Sequence, residues 1–312
     1  MDRPNERSLH STIRPRVGGA GLLAGAAAAL WILSPAAVAS APWIWILGGC
    51  MLALFLLSLA DDLVGLNTWI RLACHALVAL AFLTIVEAGP TAPWMPTAWA
   101  AAACVAGGVW WTNLNNFMDG ADGLAGGMAT FGLLSLGLVA LTEKPAGEAI
   151  GLLALALSGA SAGFLLLNFQ PARVFMGDAG SIPLGFAAAA LSWLGTLHAL
   201  WPWWFGPAVF SVFIVDATVT LLRRIASGQR FWQAHRDHYY QRLILAGWSH
   251  RRTCVVYYFL MLASTICALL AKSSTAPWTW LTGVVITYAA LIAVCEWRFH
   301  QEKQDRKVSG AR

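Results

Sequence analysis

Asp61 and Asp62 are adjacent carboxylates, Asp119 and Asp122 lie among glycines in Asn113 to Gly123 (NLNNFMDGADG), and Asp178 lies in Asn168 to Ser181 (NFQPARVFMGDAGS). A fourth polar cluster, His235 to Arg242 (HRDHYYQR), adds histidines and arginines. The chain has 15 acidic residues in all, and carboxylates are expensive near lipid, so placing five in the first three clusters implies a task for them there.

Their chemistry follows from residue type. Neighbouring side chains on a helix point apart, so one of Asp61 and Asp62 can face a site while the other caps, orients or pairs. Carboxylates suit a hard cation such as Mg²⁺, which usually takes one or two of them together with phosphate oxygens. Asp119, Asp122 and Asp178 are further candidates. The glycines in Asp119-Gly120-Ala121-Asp122-Gly123 and Gly177-Asp178-Ala179-Gly180-Ser181 let a backbone approach a phosphate closely, and the second run opens a helix whose N-terminus favours an anion. Arg14, Arg16, Arg173, Arg236 and Arg242 offer guanidinium forks for phosphate, although each reads equally as a charge that sets membrane orientation. His235 and His238, three apart, can share a helix face. The arginines around them favour an anion, hence phosphate contact or proton transfer over metal binding. Asp216 lies inside an apolar run and is either functional or a partner for Arg223 or a polar group on another helix.

What positions these residues is a membrane. With 58% apolar residues, 11% charged residues and 17 tryptophans, the composition is that of a polytopic all-α membrane protein. Stretches able to span the bilayer run at about 17–38, 43–60, 69–88, 97–118, 123–141, 148–168, 181–199, 203–222, 253–272 and 276–297, about ten helices. Alternation of these spans puts every Lys and Arg except Lys144 and Lys272 on one side, which marks that side, both termini and all four clusters as cytoplasmic. Trp43, Trp45, Trp94, Trp201, Trp203, Trp204, Trp278 and Trp280 fall near the opposite ends, as an interfacial belt does. An A-x-A pattern at Ala37 to Ala39 also fits a cleaved signal peptide, but cleavage would spoil the charge alternation. Cys50, Cys74, Cys104, Cys254, Cys267 and Cys295 are scattered and read as packing residues. No repeat is visible. A single membrane domain, 1–312, is expected, with 223–252 as an amphipathic loop over the cytoplasmic face.

These clusters resemble the bacterial polyprenyl-phosphate N-acetylhexosamine-1-phosphate transferases, relatives of the phospho-N-acetylmuramoyl-pentapeptide transferase. The resemblance runs from Arg3-Pro4-Asn5-Glu6-Arg7-Ser8 and Pro15-Arg16-Val17-Gly18-Gly19 through the four clusters, over about residues 2–252. It implies transfer of a sugar-1-phosphate from a UDP-sugar to undecaprenyl phosphate, with Mg²⁺, or alternatively Mn²⁺, and release of UMP. It implies Asp178 as metal ligand, with Asp61 and Asp62 beside the reacting phosphates and Asp62 sharing the metal. Asn116, Asp119, Asp122, Asn168 and Phe175 match donor-holding positions, with the Phe175 ring over uracil, and the forks of Arg16, Arg236 and Arg242 are the candidates for substrate phosphate. His235 and His238 match the loop that covers the donor.

Two departures stand beside the resemblance. Family members usually carry a further helix before the Pro-Asn-Glu-Arg segment, so either a start upstream of Met1 or ten helices with a cytoplasmic N-terminus is expected. The loop lacks the adjacent histidines of the peptidoglycan branch and resembles the branch that starts O-antigen, enterobacterial-type or capsular polysaccharide. That implies UDP-GlcNAc or a 6-deoxy relative, at the inner membrane. The acceptor phosphate is mostly a dianion at neutral pH, so Asp61 reads as a positioning group, with a base role kept as the weaker option. A transporter or flippase of an anionic lipid or sugar is the reading from another class, but it predicts polar residues at the midplane and an internal duplication. A peptidoglycan-type transferase is a third. Nucleic acid is not an expected partner, and a homodimer is left open.

Overall fold

The computed structural model describes residues 14–33, 35–86, 97–143, 145–230, 233 and 235–309. Arg3 to Ser8, Trp94, Lys144, Phe231, Trp232 and Arg312 lie outside the described residues, as do the side chains of Ala37, Val38, Lys303, Arg306 and Lys307. Among the described residues the regular elements are helices: α1 (Gly18–Leu33), α2 (Pro35–Ser40), α3 (Trp43–Val64), α4 (Thr68–Ile85), α5 (Thr97–Phe117), α6 (Leu124–Thr142), α7 (Glu148–Asn168), α8 (Asp178–Leu197), α9 (Phe205–Val209), α10 (Ser211–Ala226), α11 (Tyr239–Leu245), α12 (His250–Lys272) and α13 (Pro277–Ser309). The six cysteines are unpaired thiols.

Burial grades outward from α8. Nearly all of that helix is enclosed by α1, α3 and α5, while α6 packs along α7. The outer helices turn Leu52, Leu56, Leu77, Phe259 and Ile286 outward. Continuous apolar surface of this kind requires an apolar solvent. Seven helices among the described residues are long and apolar enough to cross a bilayer: α3, α4, α6, α7, α8, α12 and α13. The chain is thus an all-α, multi-pass membrane protein.

Four details differ from the spans drawn on the sequence. The stretch 17–38 is α1, too short to count among the seven, followed by α2, and 97–118 is α5, long enough but ending in the polar Thr112, Asn113, Asn115 and Asn116 and likewise not among the seven. The stretch 203–222 is broken at Phe210, at φ −93° and ψ 12°, into α9 and α10, and the Phe210 ring is buried against the bare face of Gly132 and against Trp111, 5.1 Å away between centroids. Trp201 and Trp204 do not join an interfacial belt. Both are buried, and the Trp201 indole lies flat over Gly195 and donates from Nε1 to the Ser192 carbonyl at 2.9 Å. Trp45, Trp203 and Trp278 are exposed as expected.

Candidate active site

One end of the bundle collects the polar clusters, and short-range signals explain how. Gly65 ends α3 at φ +66°, returning its N–H to the Asp61 carbonyl at 2.8 Å, and Asn67 caps α4 by accepting from the Trp69 N–H at 2.8 Å. Asp61 and Asp62 therefore sit at a hairpin tip. Gly177, at φ +72°, turns the chain so that Asp178 becomes the first residue of α8, where the helix dipole favours a carboxylate.

The segment before α1 is laced to the residues before Asp178. The Phe175 N–H donates to the Pro15 carbonyl at 2.8 Å, and the Gly18 and Gly19 N–H groups donate to Phe175 and Met176 carbonyls at 3.0 and 3.1 Å. This brings Arg16 over both carboxylates: Nη2 donates to Asp178 Oδ1 at 2.8 Å, and Nη1 lies 3.5 Å from Asp62 Oδ1. Asp61 points away. Its Oδ1 accepts from the Leu66 N–H at 2.7 Å and its Oδ2 from Arg71 Nη1 at 2.6 Å. The adjacent carboxylates thus divide, Asp62 facing Asp178 through Arg16 and Asp61 stitching the hairpin.

The asparagine cluster ties α5 and α6 to this centre. Asn115 Nδ2 donates to the Ser181 carbonyl at 2.7 Å, and Asn116 Nδ2 to the Ser181 hydroxyl at 3.0 Å. Asn168 is buried and accepts from the Gly123 N–H at 2.9 Å while donating to the Val174 carbonyl at 2.9 Å. Asp122 Oδ2 accepts from the Ala172 N–H at 3.0 Å, and Oδ1 lies 3.3 Å from His250 Nδ1. Asn168 and Asp122 therefore hold two loops in register. Asp119 and Phe175 are half-buried at the same end.

The His235 to Arg242 loop folds over this end. Its Tyr240 hydroxyl donates to the Phe117 carbonyl at 2.8 Å, and the His238 ring stacks on Phe117 at 6.0 Å and lies 4.9 Å from His235. Arg236 is exposed. Arg242 is placed differently from a free phosphate fork. Its Nη1 and Nη2 donate to both Glu296 oxygens, at 2.6 and 3.2 Å, and its guanidinium lies 4.1 Å over the Phe299 ring. The same Glu296 accepts from Arg223 at 2.5 Å and from the Tyr239 hydroxyl at 2.8 Å, so α13 clamps the loop.

With this geometry in place, comparison with known proteins decides the family. The glycosyl transferase family 4 model matches residues 44–196. A probable undecaprenyl-phosphate N-acetylglucosaminyl 1-phosphate transferase of Bacillus subtilis is 30% identical over 302 residues, covering 92% of this chain and 80% of that protein. This chain belongs to glycosyl transferase family 4. A decaprenyl-phosphate N-acetylglucosaminephosphotransferase of Mycobacterium tuberculosis is 27% identical, covering 82% of this chain and 71% of its own. A phospho-N-acetylmuramoyl-pentapeptide-transferase of Levilactobacillus brevis is 29% identical, with 76% of each chain covered. Family 4 membership makes the protein a phosphoglycosyltransferase. The family match takes in the Asp61-Asp62, Asn113 to Gly123 and Asp178 clusters but stops before the His loop, which packs on Phe117 at the end of α5.

Sequence reasoning passed over Arg71, Glu296, Tyr257 and His250. Glu296 had a signal, as the one charge in the last apolar stretch at 276–297, where an acid deserves a partner. Glu296→Ala removes the acceptor shared by Arg223, Arg242 and Tyr239. The expected result is faster tryptic cleavage within 223–252 and a roughly 10-fold higher KM for the donor, with global stability changed by about 1 kcal/mol because the carboxylate is partly solvated.

Burial, then the charge His238 can carry and that of Arg224, hold the His235 imidazole down at about 4, against an upward pull from Asp237. His235 is therefore neutral at pH 7. Its folded value lies below its unfolded value, so the unfolded chain binds the extra proton and stability falls as pH drops from about 6.5 towards 4. Melting curves across that window should show the wild type losing more than His235→Gln does.

Proposed function

We propose that this chain transfers N-acetylhexosamine-1-phosphate from a UDP-sugar to undecaprenyl phosphate, releasing UMP, as the first membrane step of a cell-surface polysaccharide. The coarser activity, sugar-1-phosphate transfer to a polyprenyl phosphate, follows from the family and from relatives named for undecaprenyl-phosphate and decaprenyl-phosphate acceptors. The observation that carries the site assignment is the Arg16 bridge between Asp62 and Asp178 at the end where all the polar clusters meet.

An acceptor phosphate oxygen attacks the sugar-bearing phosphorus of the donor, forming the new P–O bond as the bond to the uridylyl phosphate breaks and UMP leaves. Several negative charges are crowded together in that step, and guanidinium groups counter them. Arg16 is poised to move from the carboxylates to the phosphates. Asn115 and Asn116 fix the first turn of α8, and Asp61, engaged by Arg71 and the Leu66 N–H, holds the hairpin rather than a proton.

A Mg²⁺ ion, or Mn²⁺, fits this donor set. Asp62 and Asp178 bring hard oxygens to the two nitrogens of one guanidinium, at 3.5 and 2.8 Å, and substrate phosphates are the usual remaining ligands of such an ion. When bound, such an ion neutralises phosphate charge and aligns the reacting groups. His235, His238 and Arg236 cover the donor, and Asp119, Asn116 and Phe175 lie on its nucleoside side. Lys and Arg asymmetry supports a cytoplasmic site in the inner membrane.

Purified protein in liposomes with undecaprenyl phosphate, Mg²⁺ and a panel of UDP-sugars tests this reading by UMP release. Turnover with UDP-GlcNAc or another UDP-N-acetylhexosamine supports it. Turnover with the muramoyl-pentapeptide donor alone would reassign the branch.

A further inference from the structure

Asp216 lies in α10 at 4% exposure, beneath the His loop, and donors surround it. The Tyr239 N–H donates to Oδ1 at 2.8 Å and the Tyr240 N–H to Oδ2 at 3.1 Å. The Tyr257 hydroxyl of α12 donates to Oδ2 at 2.5 Å, and the Thr220 hydroxyl lies 3.4 Å from Oδ1. His238 Nδ1, itself buried from solvent, stands 3.5 Å from Oδ1. A buried carboxylate is tolerated only with such company, and the company here is the start of α11, two hydroxyls and one imidazole. Arg223, the partner a sequence reading offers for this acid, is engaged by Glu296 and the Asp237 carbonyl instead.

We propose that Asp216 is a positioning residue for the transfer reaction: from inside the bundle it fixes the ring of His238, and with it the loop that closes on the donor. Two backbone bonds set where α11 begins, and Gln241 Oε1 accepts from the His238 N–H at 3.3 Å, which caps the helix at His238. Phe117 on one side and Tyr240 on the other, at 6.0 and 5.9 Å between centroids, hold the plane of the ring. The carboxylate lies 3.5 Å from Nδ1, an ion-pair neighbour and not an ordinary hydrogen-bond acceptor; its charge favours a proton on that nitrogen, which leaves Nε2 as the nitrogen for a donor phosphate. This rests on the reading that His238 contacts the donor.

Other charged and titratable groups face the pair. His235 lies beside His238, with Arg224, Asp237 and Arg223 acting on His235. Tyr240 and Tyr257 flank Asp216, with Asp119 acting on the first and Cys295 on the second. The test must therefore isolate the Asp216 to His238 coupling.

A double-mutant cycle in liposomes does so, with Asp216→Asn, His238→Ala and the double variant followed by UMP release, by KM against kcat and across pH. Asp216→Asn alone should lower kcat/KM by ~10- to 100-fold. In the His238→Ala background the same change should cost less than about 2-fold, because its effect passes through the ring. The pH limb that His238→Ala abolishes should move down in Asp216→Asn, as a nearby negative charge is lost. Tyr257→Phe, which keeps the carboxylate and removes one of its donors, should move that limb up and serves if Asp216→Asn does not fold. Equal losses in both backgrounds, or a limb unmoved in either variant, overturns the proposal and leaves Asp216 a loop anchor only. Wild-type turnover by His238→Ala overturns instead the reading of His238 as a donor contact.

Discussion

Asp178→Ala is expected to lower UMP release by at least ~10³-fold at saturating donor and acceptor. Asp178 is the first residue of α8, held there by the left-handed Gly177, and its Oδ1 takes the 2.8 Å bond from Arg16 that also draws in Asp62. Removing it takes away one of the two carboxylates that Arg16 bridges and frees Arg16 to collapse on Asp62. Fold stability should change by no more than about 1 kcal/mol, because both partners are partly solvated. The adjacent pair sharpens the test. Asp62→Ala should resemble Asp178→Ala, whereas Asp61→Asn keeps an acceptor for the Leu66 N–H, loses charge against Arg71, and should cost only ~10-fold. Parallel kinetics with thermal melting separates the two behaviours. If Asp61→Asn were as dead as Asp178→Ala while melting normally, Asp61 would be the base and the positioning role would be wrong.

Gly180→Ala should damage both stability and turnover without touching any charged group. A Cβ on Gly180 would lie 2.4 Å from the Gly19 Cα, and one on Gly19 would lie 2.3 Å from the Gly180 Cα. The contact is backbone against backbone, so no side chain can move aside, and α1 must lift from the start of α8. Overpacking of this kind costs about 1–3 kcal/mol. Arg16 lies three residues before Gly19, and a displacement of about 1 Å at a reacting centre can cost ~10²-fold in rate. Melting temperature and UMP release should therefore fall together in Gly180→Ala and in Gly19→Ala. Gly21→Ala is the control: a Cβ there meets nothing within 4 Å, and activity should stay at the wild-type level. A stable, fully active Gly180→Ala protein would show that the Arg16 bridge does not depend on this helix contact.

The membrane class, the helical architecture and the family were legible in the chain, because each is carried by composition and by motifs local in sequence. Apolar runs of about 20 residues declare helices in lipid wherever they occur, and the glycine-acid runs keep their meaning without a partner. That Asp61 and Asp62 point apart also follows from helix periodicity alone. Which of the two faces the site does not, since the answer depends on Arg71 across the Gly65 turn and on Arg16 arriving with α1. The same limit hid the roles of Asp216, Glu296 and Arg242. Arg242 carries a fork suited to phosphate, and only the packing of α13 against the loop, 54 residues on, commits that fork to Glu296. Asp216 read as functional or as a partner for Arg223 or another helix, and the sequence could not choose because its donors come from α11 and α12. Burial makes such choices decisive: in a low-dielectric interior an unpartnered charge is intolerable, so whichever groups the fold brings together must settle their pairing there.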